Sequence, residues 1–443
     1  ESRMLTLDAN QQTDGQSRRE SVQQGLGFEI QHRRFPDSLT TDSHANDHTM
    51  LLRAMNHAKR VLPDYDGGSL LNLTSSLVAA RGGTAPHPLL RDLDSERIGR
   101  CRNIVLLLLD GLGHEFLRNH GADGILASHA RGHMTSVFPS TTTTAITTLL
   151  TGLSPREHAL TGWFSYWKSL DDVIAVLPFQ RRRGRKSLSQ DIADPAAFYD
   201  HPTLFDRLET ESHIVIPANL AYSPYNASHS GTATIHPFAG YPELFKHLAR
   251  LLREPEQKYI YAYWPGIDHL AHEHGTSSAK VKSHFHAIDR ACADLIAAAK
   301  GSDTTLIVTG DHGLIDVSPQ NHTDLGRLPE LQEHLAQPLC GERRVAYCHL
   351  REAGSDAFVS AAGDILGERF LPRSSRELVE EGWFGPGVSH PELLSRIGDV
   401  TLLAQDDASI KDWLPGERRY WHIGSHGGTS AEEMYIPLIV VDL

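Results

Sequence analysis

The stretch Asn103-Ile-Val-Leu-Leu-Leu-Leu-Asp110 decides the fold of this chain. Six consecutive apolar residues end at a carboxylate, with no alternation of polar and apolar side chains. Such a run is typical of a strand that is buried on both faces of a parallel sheet. We therefore predict an α/β fold with a mostly parallel central sheet and helices on both of its faces.

Other apolar runs also lie next to residues that bind metals. These residues are Asp268 and His272 after the run 259–264, Asp311 and His312 after the run 305–309, and His426 shortly before the run 436–441. Ligand sites of open α/β sheets lie beyond the carboxyl ends of the parallel strands. Together with Asp110, these segments would bring three carboxylates and three imidazoles to one place. That set is enough to hold two divalent cations and predicts a metallohydrolase.

The spacing within each pair also suits metal binding. Asp268 and His272 are four residues apart, so a helical turn would place them on one face. Asp311 and His312 are adjacent, and both can approach one ion where the chain turns at the end of a strand. Carboxylate with imidazole favours zinc and also suits manganese or iron. Any one of these residues could equally be a helix cap or a buried structural histidine, but the whole set would need several coincidences.

A nucleophile is expected in the hydroxyl-rich stretch between Phe138 and Gly152. Serine and threonine favour helix N-termini, and such an end also binds phosphate through its free N–H groups. A hydroxyl bound to a divalent ion there would ionise below its usual pKa and attack phosphorus. The residues alone leave four candidates open: Ser140, Thr141, Thr142 and Thr143.

Composition narrows the class of protein. The chain has 443 residues, 40% of them hydrophobic, and a net charge of -13. This charge argues against a protein that binds polymeric nucleic acid, whose surface would be basic. No apolar run approaches the ~18 residues of a membrane span, and no secretory signal is evident, which favours the cytoplasm. The four cysteines show no metal-binding spacing and are expected to be reduced thiols.

The pattern along the chain predicts the domain organisation. Residues 1–45 are polar and predict a disordered leader. Residues 46–443 predict a single catalytic domain, because strand-like and helix-like segments alternate through it. Two irregular stretches, about 161–241 and about 316–419, are interpreted as cap-like insertions over the active site. The sequence carries no signal for the oligomeric state.

Five motifs, in this order, resemble the alkaline phosphatase superfamily, and within it the type I phosphodiesterase/nucleotide pyrophosphatase family. They are Leu107-Leu-Leu-Asp110-Gly-Leu-Gly, Ser140-Thr-Thr142, Asp268-xxx-His272, Thr309-Gly-Asp311-His312-Gly and Ser425-His426-Gly-Gly. The likeness runs from about residue 66 to the C-terminus and implies an alkaline phosphatase-like fold. In relatives the nucleophile lies ten residues before the glycine of a Thr-Gly pair, which implies Thr142.

The resemblance also implies how the ligands divide between two zinc-type sites. Asp268, His272 and His426 would hold one ion. Asp110, Asp311 and His312 would hold the other, with the Thr142 oxygen between the two ions.

Two departures from relatives matter for the substrate. Many family members have an asparagine soon after the nucleophile, where this chain has Ala145. The Cys/Ser-x-Pro-x-Arg motif of sulfatases is not found near Thr142, so a sulfatase is not expected.

We therefore predict a two-metal phosphodiesterase or nucleotide pyrophosphatase that acts on small phosphate esters or nucleotide-like substrates through a covalent phospho-enzyme. The alternatives are a phosphomonoesterase that uses the same site and a catalytically silent metal-binding homologue. No arginine is evidently tied to Thr142, and this favours diesters over monoesters.

Overall fold

A computed structural model describes residues 60–351 and 356–443. The predicted leader, residues 1–45, lies outside the described residues. None of the helices in the described ranges is both long enough and apolar enough to cross a bilayer. The four cysteines are free thiols.

The strands are, in chain order, β1 (Asn103–Leu109), β2 (Ala130–Thr135), β3 (Phe164–Trp167), β4 (Asp172–Ala175), β5 (Gln180–Arg181), β6 (Glu211–Pro217), β7 (Thr234–Phe238), β8 (Lys258–Trp264), β9 (Thr304–Thr309), β10 (Ile315–Asp316), β11 (His322–Asp324), β12 (Cys340–Gly341), β13 (Val345–Cys348), β14 (Phe370–Ser374), β15 (Val400–Ala404), β16 (Ser409–Lys411), β17 (Gly424–Ser425) and β18 (Tyr435–Asp442).

The α-helices are, in chain order, α1 (Leu70–Ala80), α2 (Ser95–Gly99), α3 (His114–His120), α4 (Ile125–Ser128), α5 (Thr142–Thr151), α6 (Pro155–His158), α7 (Pro195–Tyr199), α8 (Pro224–His229), α9 (Tyr241–Leu251), α10 (Gly266–His274), α11 (Ala279–Ala298), α12 (Pro329–Gln332), α13 (Asp356–Leu366), α14 (Ser375–Glu380), α15 (Leu393–Ile397) and α16 (Ala431–Met434).

The central sheet has seven strands in the order β2-β18-β9-β1-β8-β6-β7. Strands β9, β1, β8, β6 and β7 are mutually parallel, and β18 runs antiparallel to both β9 and β2. The apolar run that begins at Asn103 forms β1, the middle strand of the sheet. The prediction of a mostly parallel α/β sheet is confirmed.

Helices cover both faces of this sheet, as predicted. All seven residues of β1 are buried, and alternate residues point to opposite faces. Ile104, Leu106 and Leu108 join one core cluster, which also contains residues of α1 and α5. Val105 and Leu107 join the other, which contains residues of α9, α10 and α11. Burial on two faces explains why the sequence of β1 shows no alternation.

The two irregular stretches form a second sheet with each other. It has seven strands in the order β14-β15-β13-β12-β3-β4-β5, with antiparallel neighbours. Strands β3 to β5 come from the first stretch and β12 to β15 from the second, and they join where Gly341 pairs with Phe164. That both stretches act as a cap over the active site stays a prediction.

The range 161–241 also contains β6 and β7, which belong to the central sheet. The predicted first insertion therefore extends past the strands of the second sheet. Polar residues such as Ser212, His213 and His236 interrupt the apolar pattern of these two strands. This interruption explains why the sequence looked irregular there.

Candidate active site

The side chains singled out in the sequence converge beyond the carboxyl ends of the central strands. Asp110 directly follows β1, and Asp311 and His312 closely follow the neighbouring parallel strand β9. Asp268 lies in the first turn of α10, which begins two residues after β8 ends. His426 directly follows β17, a short strand that pairs with β10. The order of the strands thus brings four distant segments to one edge of the sheet.

One group of possible metal ligands contains Asp110, Asp311 and His312, the three residues that the family resemblance implies for one ion. Their ligand atoms lie within 4.8 Å of one another, and all three side chains are buried. His312 Nε2 is 3.5 Å from Asp110 Oδ1 and 3.4 Å from Asp311 Oδ2. The three ligand atoms are therefore close enough together to bind one ion.

A second group contains Asp268, His312 and His426. His426 Nε2 is 3.8 Å from Asp268 Oδ1, and the rings of His312 and His426 stack with centroids 3.9 Å apart. The family resemblance implies His272 in this set, whereas the structure groups His312 there. His272 is nevertheless close, because its Nε2 is 3.2 Å from the other oxygen of the same carboxylate, Asp268 Oδ2.

The hydrogen bonds of two histidines orient their Nε2 atoms in a way that suits a cation. His272 Nδ1 donates to the Gly424 carbonyl at 2.8 Å, and His312 Nδ1 donates to the Gly313 carbonyl at 3.0 Å. A carbonyl only accepts, so in the neutral rings Nδ1 carries the hydrogen and Nε2 presents a lone pair. The His272 lone pair then faces Asp268, where a proton or a cation would be favourable; burial alone would lower the pKa of His272, but the facing carboxylate raises it. The His312 lone pair faces two carboxylate oxygens and the Thr142 hydroxyl.

The carboxylates fit a cation for the same reason. Asp110 Oδ2 accepts a hydrogen bond from the Tyr263 hydroxyl, and Asp311 Oδ1 accepts one from the Gly111 N–H at 3.0 Å. Their other oxygens, and Oδ1 of Asp268, are buried without a hydrogen-bond partner among the described residues. Buried carboxylate oxygens are normally paired or bind a metal. The side chains present therefore suit divalent cations.

Electrostatics supports this interpretation. Burial, together with the negative charges of Asp311 and Asp268, raises the pKa of Asp110 well above its usual range. Burial also raises the pKa of Asp311. Burial alone would raise the pKa of Asp268 too, but the facing imidazoles, His272 first, lower it. Three carboxylates held this close repel one another, and divalent cations would offset that repulsion.

Three of the four candidate hydroxyls are engaged elsewhere or buried. Ser140 Oγ donates to the Gly428 carbonyl at 2.7 Å. Thr141 Oγ1 donates to Glu342 Oε1 at 2.7 Å. Thr143 is fully buried, and its hydroxyl has no hydrogen-bond partner among the described residues. None of these three oxygens is placed to react at the site.

Thr142 differs from its three neighbours. It is the first residue of α5 and is half-buried, whereas the other nine residues of the helix are buried. Its Oγ1 is 3.1 Å from His312 Nε2, the atom that belongs to both groups of possible ligands. Of the four hydroxyls that the residues alone left open, that of Thr142 is the one beside these groups.

The start of α5 presents backbone donors to the same place. The first N–H groups of a helix have no acceptor within the helix. The N-cap residue, Thr141, makes no side-chain cap, because its hydroxyl is bonded to Glu342. The N–H of Thr141 donates to the Pro139 carbonyl at 2.9 Å, and those of the first residues within α5 remain available to an anion. Ala145, which stands where many relatives have asparagine, is buried in the core and offers no donor.

A buried ion pair supports the loop that carries His426. Arg344 Nε and Nη2 donate to the two oxygens of Glu433 at 2.6 and 2.9 Å, and both side chains are almost completely buried. Glu433 Oε1 also accepts from the Gly428 N–H at 2.7 Å. Between His426 and Gly428, Gly427 adopts a φ of +111°, which favours glycine. The pair therefore fixes the turn after His426.

Glu433→Gln should destabilise the protein by about 3–5 kcal/mol, because it leaves the Arg344 guanidinium buried without its counter-charge. Chemical denaturation at neutral pH measures the change in the free energy of unfolding. The exposed neighbour Glu432 provides the control, and Glu432→Gln should stay within about 0.5 kcal/mol of wild type. Equal stabilities of the two variants would show that the ion pair does not support this loop.

Several residues beside the site were not found from the sequence. Tyr263 donates to Asp110 from within β8, and the placement of that strand could have indicated it. His422 packs its ring against His272 with centroids 3.9 Å apart, and its closeness in sequence to His426 was a usable signal. Glu342 lies in a stretch without a recognisable pattern, so nothing in the sequence indicated its contact with Thr141.

Comparison with known proteins agrees with this geometry. The family described as Type I phosphodiesterase / nucleotide pyrophosphatase matches residues 104–429. No curated protein matches the chain. Murine ectonucleotide pyrophosphatase / phosphodiesterase 5 is similar in fold, with a TM-score of 0.58 and 18% identity over 76% of this chain and 87% of that one. An inactive threonine-to-alanine variant of the murine protein in complex with AMP gives a TM-score of 0.57 with the same identity and coverage.

Phosphonoacetate hydrolase from Sinorhizobium meliloti 1021, in complex with phosphonoformate, also has a similar fold. Its TM-score is 0.56, with 16% identity over 77% of this chain and 90% of that one.

The fold and the site define a metal-dependent hydrolase of the alkaline phosphatase superfamily. The chain belongs to the type I phosphodiesterase/nucleotide pyrophosphatase family. The matched residues, 104–429, include every predicted metal ligand. It is a phosphoric ester hydrolase, the class of enzyme that this family defines.

Proposed function

We propose that this protein is a two-metal phosphodiesterase in which Thr142 is the nucleophile. The observation that carries the proposal is the 3.1 Å distance between Thr142 Oγ1 and His312 Nε2. His312 belongs to both groups of possible ligands, so the Thr142 oxygen lies beside both. The inactive threonine-to-alanine variant of the murine neighbour is consistent with a reactive threonine.

Six side chains would hold two ions. Asp110, Asp311 and His312 would bind one ion, and Asp268, His272 and His426 the other. We propose zinc, because mixed imidazole and carboxylate ligands suit it, although manganese and iron accept the same set. Bound divalent ions lower the pKa of a coordinated hydroxyl and stabilise negative charge on a transferred phosphoryl group.

The protein's own groups would orient the substrate. The free N–H groups at the start of α5 would bind a phosphoryl oxygen, the contact that Ala145 cannot supply. In the first step the Thr142 oxygen forms a bond to phosphorus while the bond to the leaving oxygen breaks. The proton of the Thr142 hydroxyl goes to the leaving oxygen, which departs as an alcohol. In the second step water attacks the same phosphorus, and the bond to Thr142 Oγ1 breaks. The proton of the attacking water restores the hydroxyl.

Diesters suit this site better than monoesters. A monoester brings an additional charged oxygen, which cationic side chains would have to stabilise. Among the described residues, no lysine or arginine is hydrogen-bonded to Thr142 or to the six proposed ligands. We therefore propose phosphodiesters, small or nucleotide-like, as the preferred substrates.

Hydrolysis of matched chromogenic esters tests this function. Purified protein loaded with zinc or manganese is assayed with bis-p-nitrophenyl phosphate and with p-nitrophenyl phosphate, before and after chelation. We expect hydrolysis that needs metal and a higher kcat/KM for the diester. A large preference for the monoester would support a phosphomonoesterase, and metal binding without hydrolysis of either ester would support a silent homologue.

A further inference from the structure

An arginine beside the proposed site has no carboxylate partner. The Arg343 guanidinium lies over the rings of Trp413, Tyr420 and Trp421, at 5.6, 5.2 and 5.8 Å from their centroids. Its Nη1 donates to the Tyr420 carbonyl at 3.2 Å, and the side chain is half-buried, which lowers the pKa of the guanidinium to about 10. In the ranges that the structure describes, no aspartate or glutamate forms an ion pair with this side chain.

The nearby carboxylates are engaged by other partners. Glu342 Oε1 accepts hydrogen bonds from the Thr141 hydroxyl and the Trp163 N–H, both at 2.7 Å. Glu417 Oε1 accepts from Arg182 Nε at 3.0 Å. The charges of Glu342 and Glu417 act on Arg343 without bonding to it, so its N–H groups can still bind an acidic group from outside.

Two contacts tie Arg343 to the active site. The Tyr420 ring lies 5.2 Å from the ring of His422, which itself lies 3.9 Å from the ring of the proposed ligand His272. On the other side, the preceding residue, Glu342, is bonded to the N-cap residue of the nucleophile helix. Arg343 is thus connected to the proposed ligand His272 through the rings of Tyr420 and His422.

We propose that Arg343 forms an anion subsite beside the scissile ester, so that the preferred substrates carry a second acidic group, a carboxylate or a phosphate-type group. This inference rests on the proposed function. The planar donors of a guanidinium match both kinds of acid. The aromatic rings hold the guanidinium by cation–π contacts. Apart from the bond to the Tyr420 carbonyl, its N–H groups donate to no described residue. If Arg343 had only a structural role, it would hold the segment 413–421 in place and would not affect the choice of substrate.

Three matched substrates separate these roles. They are the ethyl, 2-carboxyethyl and 2-phosphonoethyl esters of p-nitrophenyl phosphate, which differ only in the second acidic group. Wild type, Arg343→Gln, Arg343→Lys and the control Arg419→Gln are compared by kcat/KM in the metal-loaded protein. Arg419 is an exposed arginine in the same segment that pairs with Asp324 at 3.3 Å. Thermal melting of each variant monitors folding.

Wild type should prefer one or both acidic esters to the ethyl ester. Arg343→Gln should lose about tenfold to a hundredfold in kcat/KM on the preferred acidic ester, the size expected for a lost charged hydrogen bond, and keep its rate on the ethyl ester. Arg343→Lys should retain part of the preference, and Arg419→Gln all of it. The acidic ester with the higher kcat/KM shows whether the subsite prefers a carboxylate or a phosphate-type group.

Equal losses on all three esters, or no wild-type preference, would overturn the subsite and leave the proposed function intact. If Arg343→Gln does not fold, Arg343→Lys decides, because an unchanged preference with an altered melting temperature would show a structural role only. Absence of hydrolysis of every ester by the wild type would overturn the proposed function and the subsite with it.

Discussion

Thr142→Val should reduce hydrolysis of bis-p-nitrophenyl phosphate by at least about 1,000-fold, because loss of a nucleophile typically removes most of the catalysed rate. Valine has nearly the shape of threonine, so α5 should form unchanged. The half-buried Thr142 hydroxyl makes its one described contact with His312 Nε2, and little stability should be lost. Steady-state kinetics at saturating metal, together with the metal content of the variant, measures the effect.

The neighbouring threonine provides the matched control. Thr143→Val changes the next residue of the same helix, where the hydroxyl is buried without a described partner. This variant should keep its activity and be at least as stable as wild type, because an unpaired buried hydroxyl is costly. Thr142→Ser should retain part of the activity. Full activity of Thr142→Val would move the nucleophile to water or to another hydroxyl.

Asp311→Asn should have the second largest effect, on metal binding and activity together. The new amide would still offer an oxygen to the Gly111 N–H, which lies 3.0 Å from Asp311 Oδ1 in the structure. The substitution removes the negative charge that faces His312. We expect metal affinity to fall by more than about 100-fold, because groups that merely support ligands already contribute about 10–100-fold. Metal analysis after dialysis and ester hydrolysis measure the two losses.

The same variant should change stability in opposite directions with and without metal. Without metal, Asp311→Asn removes one of three buried carboxylates that repel one another, so it should melt above wild type. With metal, wild type should gain stability by binding, and the variant should gain much less. Melting curves recorded with chelator and with zinc test both predicted changes in the melting temperature. Equal gains on adding zinc would show that Asp311 does not bind the metal.

The buried strand and the ligands next to it were the predictable part of this protein. The unbroken apolar run of β1 predicted a doubly covered sheet, and the structure places β1 in the middle of one. Asp110 and Asp311 follow neighbouring strands, and the rule for strand ends predicts the closeness that the structure shows; that they bind a metal stays a prediction. The i, i+4 spacing likewise placed Asp268 and His272 on one face of α10.

What remained open depends on contacts between distant segments. The placement of His312 between the two groups follows from the turn after β9 and from the stacking of His426, which no spacing predicts. The second sheet pairs strands from two stretches that lie far apart in the chain, so neither stretch shows its regularity alone. The choice of Thr142 among four hydroxyls needed the hydrogen bonds of its neighbours. Contacts of this kind, such as that between Thr141 and Glu342, arise only in the folded chain.

Anomalous X-ray diffraction at the zinc edge from crystals of the zinc-loaded protein tests the central claim most directly. The account predicts two peaks about 4 Å apart, the usual separation in two-metal sites. One peak should lie at Asp110, Asp311 and His312, and the other at Asp268, His272 and His426, with the Thr142 oxygen between them. A single peak, or peaks away from these side chains, would contradict the two-metal site.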